Sequence, residues 1–213
     1  MVKFGKDTKS YKHREDLIAL LPQGTRKVLD VGCGLGMMGV ELKKQGIEIV
    51  GIEKNIDAAK EAEKNLSKII IGDIENIILP FEKGYFDCLI FGDILEHTID
   101  PWKVLKKCKE YLKKGGYCIA SIPNVSHYSI IQNLLKNKWE YEDSGLMDRS
   151  HLRYFTLTSI RRLFYELGFT IIDIKEHMRT SIAGKILNIL AFDNLKYLLV
   201  EQYLITAVKS YLC

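Results

Sequence analysis

Three stretches of the chain carry residues whose types and spacing suit chemistry. The first is VLDVGCGLGMMG, residues 28–39, where an apolar run gives way to glycines and then to a helical pattern. Backbone N–H groups at such a turn meet a ligand at a helix N-terminus. Gly34, Gly36 and Gly39 spell G-x-G-x-x-G, and Glu53 follows Gly34 by 19 positions, where an acidic side chain holds a ribose diol. Gly32, Gly34 and Gly36 spell a second phrase with Asp30 just ahead of it. A carboxylate there repels a pyrophosphate and attracts an ammonium.

The second stretch is GDILEH, 92–97, and the third is GLMDRSHLRYFT, 145–156. Histidine is the usual proton acceptor near neutral pH. His151 is therefore the leading candidate for a general base, with His127 and His97 as rivals. Asp148 is placed to orient His151, and Arg153 to grip a carboxylate or phosphate with its planar fork. A competing reading makes Asp148, His151 and Arg153 a polar network that pins the segment. His97 competes as a cap for the following helix. Trp139, Tyr141 and Tyr154 bring aromatic faces to the same region, for stacking or for local packing. No carboxylate and histidine cluster shows metal spacing, so no metal is expected.

The elements that must position these groups alternate strand and helix. Strands are expected at 26–31, 47–53, 68–72, 85–92 and 117–123, a further one at FTIIDIKEHM, and a last one at 203–210. Helices are expected near 10–21, at 37–45, after Asn55 as N-cap, from Asp100-Pro101 to Gly115-Gly116, and at 158–167. The run YFDCLIFG is nearly all apolar, as a strand buried on both faces should be. This rhythm argues an α/β fold with a parallel sheet and helices on both faces. After Pro123 the rhythm breaks, and residues 124–157 read as an insert or lid within a single domain, 1–213.

Bulk properties fit a globular chain. It has 213 residues, 47% hydrophobic and 27% charged, with a net charge of +4, too mild for a nucleic-acid binder. Five cysteines without C-x-x-C spacing suggest neither a zinc knuckle nor a disulfide framework, and they suit a reducing cytosol. The polar N-terminus lacks a signal h-region, so a cytoplasmic location is expected. The apolar stretch 182–200 is broken by Lys185, Asp193 and Lys196; it reads as an amphipathic helix, not a transmembrane span. It would serve as an interface if the protein is a homodimer rather than a monomer.

As an ordered set, VLDVGCGLG, GIE, GDIE, FDCLIFGDILEH, LKKGGYCIASIPN and YLITAVK resemble the class I S-adenosylmethionine-dependent methyltransferases. The D-x-x-H-x-R phrase at 148–153 resembles a type 11 or type 23 subgroup, often associated with sugar, polysaccharide or small-metabolite methylation. The resemblance implies a Rossmann-like seven-stranded sheet in the order 3-2-1-4-5-7-6, strand 7 antiparallel. It implies that Gly32, Gly34 and Gly36 cradle the methionine part of the cofactor, with Asp30 on its amino group. Tyr11 and Arg14 reach its carboxylate, Glu53 the ribose, and Asp73 with the Ile74 backbone the adenine. Asp93 and Leu95 close over the sulfonium, and Asn124, Asp148 and Arg153 meet the acceptor. The implied activity is transfer of a methyl group from S-adenosyl-L-methionine to a small molecule, at oxygen. The alternatives are a nicotinamide-dependent oxidoreductase, against which Asp30 argues, and a non-catalytic cofactor-binding protein. GDIL at 92–95 lacks the polar-Pro-Pro-aromatic phrase of base-amino methylation, so no nucleic-acid partner is expected.

Overall fold

The computed structural model describes residues 14–178 and 195–210. Tyr11 and most of the 182–200 stretch lie outside the described residues.

β1 (Lys27–Val31), β2 (Glu48–Glu53), β3 (Lys68–Ile71), β4 (Phe86–Gly92), β5 (Leu112–Pro123), β6 (Phe169–Met178) and β7 (Val200–Lys209) form one sheet. Its order is β3-β2-β1-β4-β5-β7-β6, with β7 antiparallel to both neighbours. The first five strands are parallel, so their carboxyl ends share one edge. β7 runs the other way and brings its first residues to that same edge.

Side chains alternate across each strand. Val28, Ile49, Cys88, Ile90 and Ile119 pack on one face with Leu17, Leu42 and Leu66. That face carries α1 (Glu15–Ile18), α2 (Met37–Lys44) and α3 (Ile56–Asn65). Leu29, Val31, Leu89 and Phe91 pack on the other face with Leu105, Cys108, Leu163 and Phe164. Those partners come from α4 (Pro101–Tyr111) and α6 (Leu157–Glu166). The central strands are thus buried on both sides, which their unbroken apolar runs require.

The expected caps are in place. Asn55 accepts from the N–H groups of Asp57 and Ala58, and Asp100 from that of Lys103 with Pro101 behind it. Thr156 and Ser159 form a capping box at α6.

Several boundaries differ from expectation. α1 stops at Ile18 rather than running to Leu21. α4 ends at Tyr111 rather than at the glycine pair, and β5 begins at Leu112, opposite Phe86. Burial explains this: the Leu112 side chain is fully enclosed, and Lys113 is tied to Asp87 at 2.5 Å. The insert contains a helix that the sequence reading passed over, α5 (Tyr128–Leu135), capped by His127. β7 begins at Val200, three residues before the expected strand, because Asn124 binds the carbonyls of Tyr197 and Val200. No helix among the described residues is long and apolar enough to cross a membrane.

Candidate active site

At the carboxyl edge of the sheet lies a cavity of about 840 Å³. Its floor is the glycine turn after β1. Gly32, Gly34 and Gly36 all have positive φ, at 72°, 55° and 68°. A Cβ on Gly32 would lie 2.6 Å from the Ile94 side chain, so only glycine keeps the turn open there. Gly39 does a different job. It sits inside α2, and a Cβ would lie 2.6 Å from the Asn65 carbonyl, so it lets α2 pack onto α3. Glu53 braces the turn: its carboxylate accepts from Gly34 N at 2.9 Å and from Asn55 N at 2.8 Å.

Asp30, at the end of β1, is the most telling residue. It is 2% exposed, lines the cavity, and its Oδ2 has no hydrogen-bond partner. Burial pushes its carboxyl up to about 7, with Glu53 adding to the effect and Arg14 opposing it. A buried orphan carboxylate is costly unless a cation joins it.

Arg14 reaches in from the start of α1. Its guanidinium bonds Asp93 at 2.6 Å and Asp16 at 2.9 and 3.0 Å. Asp93 has φ 56°, a left-handed conformation that turns its side chain into a hub. It also accepts from Ser121 at 2.7 Å and from Gln202. Sequence reasoning missed Ser121 and Gln202. Strand register alone places Gln202 beside Pro123 and His177, and no local motif signals it.

The opposite wall is the 3-10 turn Leu95–His97 with the loop 145–153 laid against it. The Glu96 carbonyl accepts from the N–H groups of both Leu152 (2.8 Å) and Arg153 (3.0 Å). His97 Nδ1 meets the Ser150 carbonyl at 3.1 Å, and Arg153 donates to the Ile99 carbonyl at 2.9 and 2.5 Å. This stapling brings His151 edge-on to His97, ring centroids 4.8 Å apart. His151 Nδ1 meets the Leu146 carbonyl at 3.2 Å. A carbonyl only accepts, so in both rings Nδ1 carries a hydrogen, and Nε2 is the nitrogen left to act as base or ligand. Burial, then the neighbouring His97, holds the His151 pKa below its ordinary value. Glu96 completes the wall at 1% exposure, its Oε2 unpartnered. Burial and then Asp93 push its carboxyl well above the ordinary range.

Not every predicted site residue reaches this cavity. Arg14, Asp30, Gly32, Asp93, His97, Asp148 and His151 line it. Asp73 lies in a separate hollow with Ile99 and Asp100, its Oδ1 bound to Glu75 N. The side chains of Ile74 and Leu95 belong to the core. Asn124 is fully buried and spends both amide hydrogens on backbone carbonyls while its oxygen accepts from Ser126, so none is left for an acceptor. Arg153 holds Ile99 rather than facing the cavity. Asp148 does not bond His151; its Oδ1 accepts from the Ser150 N–H and hydroxyl. Burial works against its ionisation, but those two bonds win and keep its pKa low. His127 caps α5 through Ser129. Glu96, beside His97 in GDILEH, was within reach of sequence reasoning but was not read as a site residue.

A sheet in this order with an orphan carboxylate behind a glycine turn is the architecture of the class I S-adenosylmethionine-dependent methyltransferases. A family model described as a methyltransferase domain matches residues 7–174, and the chain belongs to that family. Solved structures agree on the fold. A SAM-dependent methyltransferase from Archaeoglobus fulgidus superposes with a TM-score of 0.66 at 22% identity, covering 94% of this chain and 93% of that one. One from Methanosarcina mazei gives 0.65 at 19% identity, covering 91% and 96%. Among curated relatives, a ubiquinone biosynthesis O-methyltransferase of Cereibacter sphaeroides is 29% identical over 75% of this chain. One from Psychrobacter arcticus is 27% identical over 70% of it. The chain spans 66% and 61% of the length of these two relatives.

Proposed function

We propose that the protein transfers a methyl group from S-adenosylmethionine to a hydroxyl oxygen of a small molecule. The carrying observation is the pairing, in one cavity, of a buried orphan carboxyl group, Asp30, with two imidazoles, His97 and His151, each held through Nδ1 by a backbone carbonyl. Asp30 takes the cofactor's ammonium and Arg14 its carboxylate, with Tyr11 as a second candidate. The turn Gly32–Gly36 cradles the chain between them and Glu53 holds the ribose; the adenine would extend past the cavity to reach Asp73 and the Ile74 backbone. Bound there, the cofactor supplies a methyl group already activated on a sulfonium. The chain's own work is therefore alignment and proton removal. The glycine turn and the stapled 145–153 loop fix the two sides of the cavity. The wall of Glu96, His97 and His151 receives the acceptor hydroxyl and promotes loss of its proton, with His151 the leading candidate for the base.

The chain is one domain in this reading, and residues 124–157 are its lid. The named activity of the curated relatives supports an oxygen acceptor. Sugars, polysaccharide precursors and hydroxylated metabolites are the acceptors to screen, with phenols beside them. The test follows transfer of a labelled methyl group to such a panel. His151→Ala is expected to keep S-adenosylhomocysteine affinity and lose on the order of 100-fold in turnover. An unchanged turnover would move proton removal elsewhere.

A further inference from the structure

We infer that Glu96, His97 and His151 form a binding site for a divalent transition cation of the zinc type, set in the acceptor side of the cavity. This inference rests on the proposed methyltransferase reading for its use, though not for the binding itself.

The three residues each offer one ligand atom, and these atoms lie within 4.8 Å of one another. Around a zinc-like ion with bonds of about 2.0–2.2 Å, ligand atoms sit roughly 3–3.5 Å apart. Uptake of the ion would have to draw the three atoms closer than they stand. Two independent features point to a cation rather than to a chance cluster. First, Glu96 is 1% exposed and its Oε2 has no partner, so a ligand oxygen is held inside the site with nothing of the chain's own to satisfy it. Second, both imidazoles are already oriented as ligands. Each gives its Nδ1 hydrogen to a backbone carbonyl, Ser150 for His97 and Leu146 for His151. That bond is the usual outer support of a metal-bound histidine: it occupies Nδ1 and leaves Nε2 as the ring's ligand atom.

The charges facing the cluster agree. Asp93 and Asp148 both add negative potential at Glu96, and the opposing cation, Arg14, is already committed to Asp93 and Asp16. Two imidazoles with one carboxylate is the donor set of catalytic zinc sites that leave a position open. Imidazole nitrogen disfavours magnesium and calcium, which take oxygen sets.

An open position in the acceptor pocket assigns the ion's use. It orients the acceptor hydroxyl and makes that proton easier to lose. The proton passes to water, the oxygen lone pair forms the new O–C bond, and the electrons of the broken S–C bond stay on sulfur. His97 and His151 then act as ligands, and the cation rather than His151 itself lowers the cost of proton removal.

The test is titration of the full chain, stripped with a chelator, with Co²⁺, followed by its visible absorption and by competition with Zn²⁺. The expected result is saturable uptake of one ion per chain, displaced by Zn²⁺. Glu96→Gln and His151→Ala should each weaken uptake by at least about tenfold. Both variants should melt in one cooperative transition and keep wild-type S-adenosylhomocysteine affinity, showing that they fold. Absence of saturable uptake, or uptake that the two variants leave unchanged, would overturn the site. The two readings fail separately. Cation uptake without S-adenosylhomocysteine binding sinks the cofactor reading and spares the site. Methyl transfer that survives chelation, without cation uptake, does the reverse.

Discussion

Asp30→Asn should make the protein more stable and a poorer binder at once. The carboxyl is buried and pushed up to about 7, against about 3.9 in an unfolded chain. The folded state therefore binds this proton more tightly than the unfolded state. Stability is fully present below the unfolded value near pH 4 and is lost progressively as pH rises to about 7. At 1.36 kcal/mol per unit, the loss reaches about 4 kcal/mol at pH 8. Asparagine has the same shape and no charge. Its buried amide lacks partners and gives back about 1–3 kcal/mol. The net gain is about 1–3 kcal/mol, or roughly 3–10 °C in Tm at pH 8. At pH 5 the carboxyl is protonated in the folded protein, so the gain should vanish or reverse. Binding moves the other way. Loss of a charge-assisted contact to the ligand's ammonium costs about 1.5–3 kcal/mol, roughly 10- to 150-fold in Kd. Melting at pH 8 and pH 5, with calorimetric titration of S-adenosylhomocysteine, reads both effects. A Tm difference that is the same at both pH values would refute the reasoning, as would wild-type affinity.

Three further substitutions probe the rest of the site. Arg14→Gln breaks the 2.6 Å pair with Asp93 and removes the cation assigned to the cofactor carboxylate, so S-adenosylhomocysteine affinity should fall at least about tenfold by calorimetry. Gly39→Ala drives a methyl to 2.6 Å from the Asn65 carbonyl; backbone must shift, and the melting temperature should drop with a cost of about 1–3 kcal/mol. Arg153→Ala removes the tie to the Ile99 carbonyl and loosens the 145–153 loop. Turnover should fall severalfold while cofactor affinity holds; equal loss of both would mean that Arg153 supports the cofactor side instead.

Much of this was legible in the sequence because the signals are local. Asn55 and Asp100 cap the helices they precede, and the apolar runs at β1 and β4 announce strands covered on both faces. Asp30 stands out because a carboxylate before a phosphate-type turn is chemically out of place. What was not legible depends on long-range contact. Glu96 and His97 meet His151 only because the Glu96 carbonyl and the Ser150 carbonyl staple two distant loops. The D-x-x-H-x-R phrase reads as an acid–base pair with an anion clamp. In the folded chain Asp148 closes its own turn on Ser150, Arg153 pins the loop to Ile99, and His151 alone of the three carries the site. Asn124 looked available in sequence, yet backbone carbonyls near the start of β7 consume it. α5 was hidden inside a polar insert, although Ile130, Ile131, Leu134 and Leu135 hold helical spacing.

The central claim is that the glycine turn and Asp30 hold an S-adenosyl cofactor. Calorimetric titration of the purified protein with S-adenosylhomocysteine, and separately with NAD, tests it directly. The account predicts stoichiometric binding of S-adenosylhomocysteine and none of NAD. Binding of NAD alone would contradict it, and would make Gly34, Gly36, Gly39 and Glu53 a dinucleotide site after all.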